Sequence, residues 1–219
     1  MNQKPHKNIR IIQALAYFDI FKHPLRKEEL ANLAGISNSE AETILVELTA
    51  QKVCYSFDQH FSIFHRTDEL VNLRVQKERK ASNYFKKLPF YARLISSFPF
   101  VRSIAISGSL SKGVMHDDGD IDYFIITAPN RMWICRTFLI LFKKVFLLNS
   151  KKYFCINYLV DENHLEIIDK NIFTAIEVSH LLPVYNEPLI NQLKKENNWT
   201  EEYLPRCKHL KKVLTSFLL

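Results

Sequence analysis

Apolar positions in the first 65 residues follow a helical period three times and then alternate. Apolar side chains recur at helical spacing from Ile9 until Pro24 interrupts the pattern. A short second helix is predicted to end at Gly35, and a third begins at Ser37 or Asn38 and continues through "SEAETILVELTAQ". The segment "KVCYSFDQHFSIFH" then alternates apolar and polar residues, which predicts a hairpin.

The rest of the chain alternates between helical and strand patterns. One long or broken basic helix is predicted over 67–97, stopped at Pro89 or Pro99. Strands are predicted at 103–107, 120–127, 153–160 and 164–168, and helices at 130–148 and 171–181. Beyond Pro183 the polar chain is predicted to be helical. The helix over 130–148 is apolar on nearly all sides, which predicts burial against the sheet.

These elements predict an α/β (α+β) protein whose core lies behind an N-terminal helical module. The three helices and the hairpin, with "LAGIS" between the second and third helices, resemble a winged helix-turn-helix. The predicted parts are a winged helix-like domain over 1–65, a basic helical linker over 66–100, a core over 101–185 and a C-terminal helical tail over 186–219.

Composition indicates an ordinary globular protein: 47% of the residues are hydrophobic and 24% are charged. The most apolar run, 133–148, is broken by three basic residues, so it predicts a buried helix and no membrane partner. The N-terminus has no signal-peptide pattern. The four cysteines are far apart and form no metal-binding pair, which is typical of reduced thiols in a cytoplasmic protein.

Positive charge is concentrated in the middle of the chain. Residues 1–65 carry seven basic and seven acidic residues, whereas residues 66–102 carry nine basic and three acidic residues. The third predicted helix carries Glu40, Glu42 and Glu47 and no basic residue before Lys52. Because DNA affinity depends mainly on phosphate neutralisation, the sequence predicts that the first module does not bind DNA but contacts protein or acts as a spacer.

Three of the four glycines lie in one stretch, "SGSLSKGVMHDDGDIDYFIIT" at 107–127. The strand "SIAIS" ends at Gly108 and Ser109, where a tight turn directs backbone N–H groups and a hydroxyl into a small concavity that suits phosphate oxygens. Asp120 and Asp122 project from one face of the next strand, about 7 Å apart. Paired carboxylates beside a phosphate cradle suit divalent-cation-dependent phosphoryl or nucleotidyl transfer. The neighbouring His116, Asp117 and Asp118 are predicted to be loop residues.

The motif "GSLSKGVMHDDGDID" resembles the nucleotidyltransferase signature of the DNA polymerase beta superfamily, in the spacing of its minimal and aminoglycoside-type members. The resemblance covers roughly residues 100–180 and implies a mixed-sheet nucleotidyltransferase core. It implies that Gly108 and Ser109 grip a nucleoside triphosphate, that Lys112 contacts phosphate, and that Asp120 and Asp122 bind catalytic Mg²⁺, or Mn²⁺ in its place.

The family usually carries a third carboxylate on a neighbouring strand, and the candidate strand here is "YFCINYLVD". Asn157 is the polar residue at its centre, and it is the first candidate for the third catalytic position. Asn can ligate a metal ion but cannot act as a carboxylate base. Asp161, at the end of the strand, and Glu166, on the predicted next strand, are the alternatives if the register differs.

Three functions therefore follow as expectations. The first is a Mg²⁺-dependent nucleotidyltransferase that moves a nucleoside monophosphate from an NTP to an acceptor, which is a small molecule, a protein or an RNA. The second is a catalytically weak or inactive nucleotide-binding regulatory module, which Asn157 favours. The third is a winged-helix DNA-binding regulator, which the charge of the first module disfavours.

Overall fold

The computed structural model describes residues 7–150 and 152–204. The chain divides into two compact units, one extending to Gln76 and the other covering Lys77–Tyr203. The boundary lies inside a long helix, so the segment predicted as a linker contributes to both units. The structure is mixed α/β with two small sheets.

The first unit contains three helices and a three-stranded antiparallel sheet, and its sheet order is β1-β3-β2. Its elements are α1 (Lys7–Ile20), β1 (Leu25–Arg26), α2 (Lys27–Ala34), α3 (Asn38–Ala50), β2 (Tyr55–Phe57) and β3 (His60–Ser62). Gly35 ends α2 in the left-handed conformation, and Ser37 caps α3 in a capping box with Glu40. Both residues of the turn between β2 and β3, Asp58 and Gln59, have positive φ, as in a two-residue hairpin. The predicted helices and hairpin are therefore confirmed.

One helix, α4 (Thr67–Ser96), follows without interruption, so of the two predicted stops Pro89 does not end it, and the helix ends three residues before Pro99. Proline removes one backbone donor and strains the preceding turn. The packing of buried apolar side chains near Pro89 offsets this cost. These side chains are Phe85, Leu88, Ala92 and Ile95.

The second unit has a four-stranded mixed sheet in the order β6-β5-β4-β7, in which β5 and β6 are parallel and the other pairs are antiparallel. Its further elements are β4 (Val101–Ile106), α5 (Gly108–Ser111), β5 (Asp122–Thr127), α6 (Met132–Phe146), β6 (Cys155–Asp161), α7 (Ile172–Ser179), β7 (Leu182–Tyr185), α8 (Glu187–Glu196) and α9 (Thr200–Tyr203). The predicted tail over 186–219 thus begins with α8 and α9, and its residues 205–219 lie outside the described part.

Two predicted segments differ from the structure. The segment 164–168 is not a strand, because its backbone forms hydrogen bonds with the side chain of Asn197 instead of with a neighbouring strand. The Asn197 amide accepts from Ile167 N–H (2.7 Å) and donates to the Leu165 carbonyl (2.8 Å). Conversely, Leu182–Tyr185 forms the edge strand β7, although the chain beyond Pro183 was predicted to be helical. An edge strand tolerates proline because its outer side needs no donor.

The sheet of the second unit packs one face against α4 and α6 in a common apolar core. The buried members of this core include Phe85, Ile95, Ile106, Tyr123 and Leu139. The opposite face carries Asp122 and Phe124, since side chains alternate along β5.

The helix α6 packs against the sheet as predicted, but only one side of it is buried. Cys135 and Leu139 are buried, but Trp133 is 71% exposed and Phe146 is 70% exposed. Within the part of the chain that the structure describes, no helix is both long and apolar enough to cross a membrane.

Candidate functional site

The turn after β4 lies directly against the Asp122 side chain. Gly108 has φ +66°, in the left-handed region, and a Cβ atom built on it would clash with the Asp122 carboxylate. The Ser107 N–H donates to the Asp122 carbonyl at 2.9 Å, which ties the turn to the start of β5. Glycine is therefore required here both by backbone conformation and by the close approach of a carboxylate.

Asp120, Asp122 and Cys155 form a group that could hold a metal ion, named here the carboxylate–thiol group. One ligand atom from each residue lies within 4.8 Å of the others, and all three residues are half-buried. Asp122 and Cys155 open the parallel strands β5 and β6 and are partners in their register. Asp120 precedes β5 by two residues, so the strand begins later than the predicted 120.

The carboxylate–thiol group is unfavourable for negative charge when no cation is bound. Burial, then the neighbouring Asp120 charge, raises the pKa of Asp122 to about 6. Burial and hydrogen bonding to Asp120 raise the pKa of the Cys155 thiol to about 12, so the thiol is protonated at neutral pH. A divalent cation would relieve the repulsion between the two aspartates, as expected for a metal-binding pair.

A third carboxylate, that of Glu177 on α7, lies on the other side of the turn. The Gly108 N–H donates to Glu177 Oε2 at 3.1 Å, and Lys112 Nζ donates to Glu177 Oε1 at 2.6 Å. Lys112 Nζ also donates to the Gly108 carbonyl at 3.1 Å. The predicted phosphate ligands Gly108 and Lys112 are thus neighbours in space, and both contact a carboxylate that the sequence analysis did not single out.

Ser109, the other predicted phosphate ligand, lies half-buried in α5 immediately after Gly108. Its carbonyl accepts from the Lys112 and Val114 N–H groups, which closes the turn. The loop residues behave as predicted: His116, Asp117 and Asp118 are exposed, and the Asp117 carboxylate contacts Lys80 at 3.1 Å.

Asn157 is not part of the carboxylate–thiol group. The register between β5 and β6 shifts at this residue: Tyr123 pairs with Ile156 and Phe124 with Tyr158, so Asn157 is bulged and exposed. The residue that lies beside Asp122 on the neighbouring strand is Cys155. In the observed register, therefore, Cys155 and not Asn157 pairs with Asp122.

The two alternative carboxylates also lie apart from the group. Asp161 is at the far end of β6, six residues or about 20 Å from Cys155 along the strand, where it accepts from the Asn130 and Asn163 N–H groups. Glu166 lies outside regular structure and pairs with Lys170 at 2.6 Å. The nearest additional carboxylate to the turn is Glu177, for which the sequence signal was a single acidic residue in the apolar helix "IFTAIEVS".

Comparison with known proteins does not assign the chain to a protein family. No protein-family model matches it, and no curated protein is detectably similar to it. Any functional conclusion therefore depends on the geometry of the turn, the carboxylate–thiol group and Glu177.

Proposed function

We propose that the chain is a divalent-cation-dependent nucleotidyltransferase, with a core of the DNA polymerase beta type in the second unit and a winged-helix module in the first. The observation that carries this proposal is the contact between the Gly108 turn and the Asp122 carboxylate. A phosphate group beside Gly108 and Lys112 would lie next to a cation held by Asp120 and Asp122, as phosphoryl-transfer chemistry requires.

The proposed reaction joins an acceptor hydroxyl to the α-phosphorus of an NTP. The acceptor oxygen forms a bond to the α-phosphorus, the bond to the bridging oxygen of the β-phosphate breaks, and pyrophosphate leaves. Lys112 and the backbone of Gly108 and Ser109 would orient the phosphates, and the hydroxyl proton passes to a base or to solvent. When bound, the cation would neutralise charge on the phosphate oxygens and order them against Asp120 and Asp122.

The three ligand side chains suit a divalent cation, and their chemistry indicates which metal ion the site prefers. Two carboxylates supply the oxygen ligands that Mg²⁺ prefers, whereas a thiol is a ligand for softer ions. We infer that Asp120 and Asp122 hold Mg²⁺ or Mn²⁺ and that Cys155 weakens the preference for Mg²⁺.

A second candidate function is a catalytically weak or inactive nucleotide-binding module. Cys155 favours it, because a protonated thiol replaces the third carboxylate that would accept the acceptor proton. A DNA-binding regulator is disfavoured, since the exposed positions of α3 include Glu42 and Glu47.

Calorimetric titration of the full-length chain with Mn²⁺ and ATP tests the site assignment. Asp120→Asn and Asp122→Asn should each weaken cation-dependent ATP binding by about a hundredfold or more, because each removes a charge from a divalent site. Asp118→Asn, a nearby exposed aspartate, is the matched control and should bind like the wild type. Unchanged affinity in both site variants would exclude the assignment, and pyrophosphate release by the wild type would separate the transferase from the inactive module.

A further inference from the structure

The Glu177 carboxylate occupies the donors that the proposed function gives to a phosphate group. Its two oxygens accept separately from the Gly108 N–H and from Lys112 Nζ. This is the hydrogen-bonding pattern that two oxygens of one phosphate group would present. The chain therefore supplies its own anion at this position.

The helix that carries Glu177 is held firmly, while its carboxylate remains accessible. Asn171 caps α7 by accepting from Thr174 N–H at 3.0 Å, and Ala175, Ile176 and Val178 are buried. The Glu177 side chain is nevertheless 41% exposed, whereas that of Lys112 is 13% exposed. Rotation of the Glu177 side chain towards solvent would thus leave the Lys112 ammonium largely buried and ready for another anion.

The charges around the turn favour exchange of the Glu177 carboxylate for a phosphate group over binding of both at once. Asp120, Asp122 and Glu177 are three acidic side chains near one lysine, and the Glu177 charge is one of the causes that raise the pKa of Asp122. A polyphosphate that kept Glu177 in place would add further negative charge to this set. Exchange of the carboxylate for a phosphate keeps Lys112 paired and avoids that repulsion.

We propose that Glu177 is a built-in competitor that regulates access to the phosphate-binding donors, and that a phosphate group of the polyphosphate ligand replaces it. This inference rests on the proposed function, because it assumes that the donors bind phosphate. The affinity for polyphosphate is lowered by the fraction of molecules in which Glu177 occupies the donors. Removal of the competing charge should therefore tighten binding.

Titration of the full-length chain with inorganic pyrophosphate in the presence of Mn²⁺ tests the inference. Glu177→Gln keeps the shape of the side chain but removes its charge, and it should bind pyrophosphate about tenfold more tightly. Glu177→Asp, too short to reach both donors, should change affinity in the same direction. The matched control is Glu162→Gln, since Glu162 is a similarly exposed ion-pair partner of Arg102.

Three results have distinct meanings. Tighter binding by both Glu177 variants, with Glu162→Gln unchanged, supports the competitor. Pyrophosphate binding that is equal to or weaker than that of the wild type in folded Glu177 variants overturns it and leaves the proposed function intact. Absence of pyrophosphate and Mn²⁺–ATP binding in every variant overturns the proposed function and the inference with it. Lys112→Gln should abolish the gain when combined with Glu177→Gln.

Discussion

At the scale of single residues, Gly108 has the most stringent requirement in the candidate site. Its left-handed backbone and its missing side chain together allow the Asp122 carboxylate to lie against the turn. Any L-amino acid with a side chain there must either strain the backbone or displace the carboxylate.

We predict that Gly108→Ala destabilises the second unit by about 1–3 kcal/mol and weakens Mn²⁺ binding at least tenfold. Thermal unfolding and calorimetric Mn²⁺ titration measure the two effects. Gly119→Ala is the comparison variant: its φ is not positive, and the nearest neighbours of its added methyl group are Met115 Sδ and the His116 backbone, not a carboxylate. Equal Mn²⁺ affinity in the Gly108 and Gly119 variants would contradict the role given to the close contact.

The predicted site residues that the structure brings together belong to one continuous motif, whereas the predicted Asn157, Asp161 and Glu166 lie outside it. Gly108, Ser109, Lys112, Asp120 and Asp122 lie within fifteen positions, and the structure keeps them together. Cys155 and Glu177 could not be found in the same way. Their proximity depends on strand register and on helix position, which are tertiary properties that no local spacing encodes.

At the scale of elements, the pairing of β5 with β6 decides which residue completes the site. The parallel register places Cys155 beside Asp122, and the shift at Asn157 leaves that residue unpaired. The sequence favoured Asn157 as the polar residue at the centre of an apolar strand, and the bulge that removes it from the pairing is not visible as a pattern of apolar positions.

The register leads to a prediction about the third ligand position. Cys155→Asp should tighten Mg²⁺ binding and lower the stability of the cation-free protein, because three carboxylates then repel one another. Asn157→Asp, its matched control two residues along the strand, should change neither by more than a small amount. Calorimetric Mg²⁺ titration and thermal unfolding without cation measure these effects. A larger gain from Asn157→Asp would show that the register argument is wrong.

In the first unit, an ion pair between α2 and α4 makes the free energy of unfolding depend on pH. Arg74 forms a bidentate pair with Glu29, with N–O distances of 2.8 and 2.6 Å. Burial opposes ionisation of Glu29, but the hydrogen bonds and charge of Arg74 outweigh it and lower the pKa of Glu29 to about 2.

Because the pKa of Glu29 is depressed in the folded state, its stabilisation is present above the ordinary value of 4.5 and is lost as the pH falls towards about 2. We expect a loss of about 1–2 kcal/mol in the free energy of unfolding, since the partial exposure of Glu29 screens the pair. Urea unfolding between pH 5 and about pH 2 measures it. Glu29→Gln should flatten this dependence and Glu28→Gln, an exposed neighbour, should not; equal slopes in the two variants would contradict the assignment.

At the scale of the whole molecule, charge is distributed unevenly along the chain. The mixed α/β class of the fold could be predicted from the sequence. Residues 1–65 are neutral, and the net positive charge of residues 66–102 falls largely on α4. Helical and alternating periods predicted most elements, because burial imposes those periods directly. They failed for β7, which begins beside a proline, and they did not reveal that the apolar residues of α6 continue from its buried side onto its exposed side.

The neutral charge of residues 1–65 predicts weak DNA binding by this part of the chain alone. Fluorescence anisotropy with a labelled duplex at about 150 mM salt should give a Kd weaker than about 1 μM, because the exposed positions of α3 include acidic residues and gain little from counterion release. Glu42→Lys combined with Glu47→Lys provides a comparison in which α3 carries positive charge. Sub-micromolar binding by the wild-type segment would contradict the prediction.

We propose that the Gly108 turn and the two aspartates form one site for a cation and a polyphosphate. A crystal structure of the full-length chain with Mn²⁺ and a non-hydrolysable NTP tests it most directly. We expect anomalous density for Mn²⁺ at the carboxylates of Asp120 and Asp122, with phosphate oxygens within hydrogen-bonding distance of Lys112 Nζ. Mn²⁺ or the triphosphate bound elsewhere, with these side chains uninvolved, would contradict it.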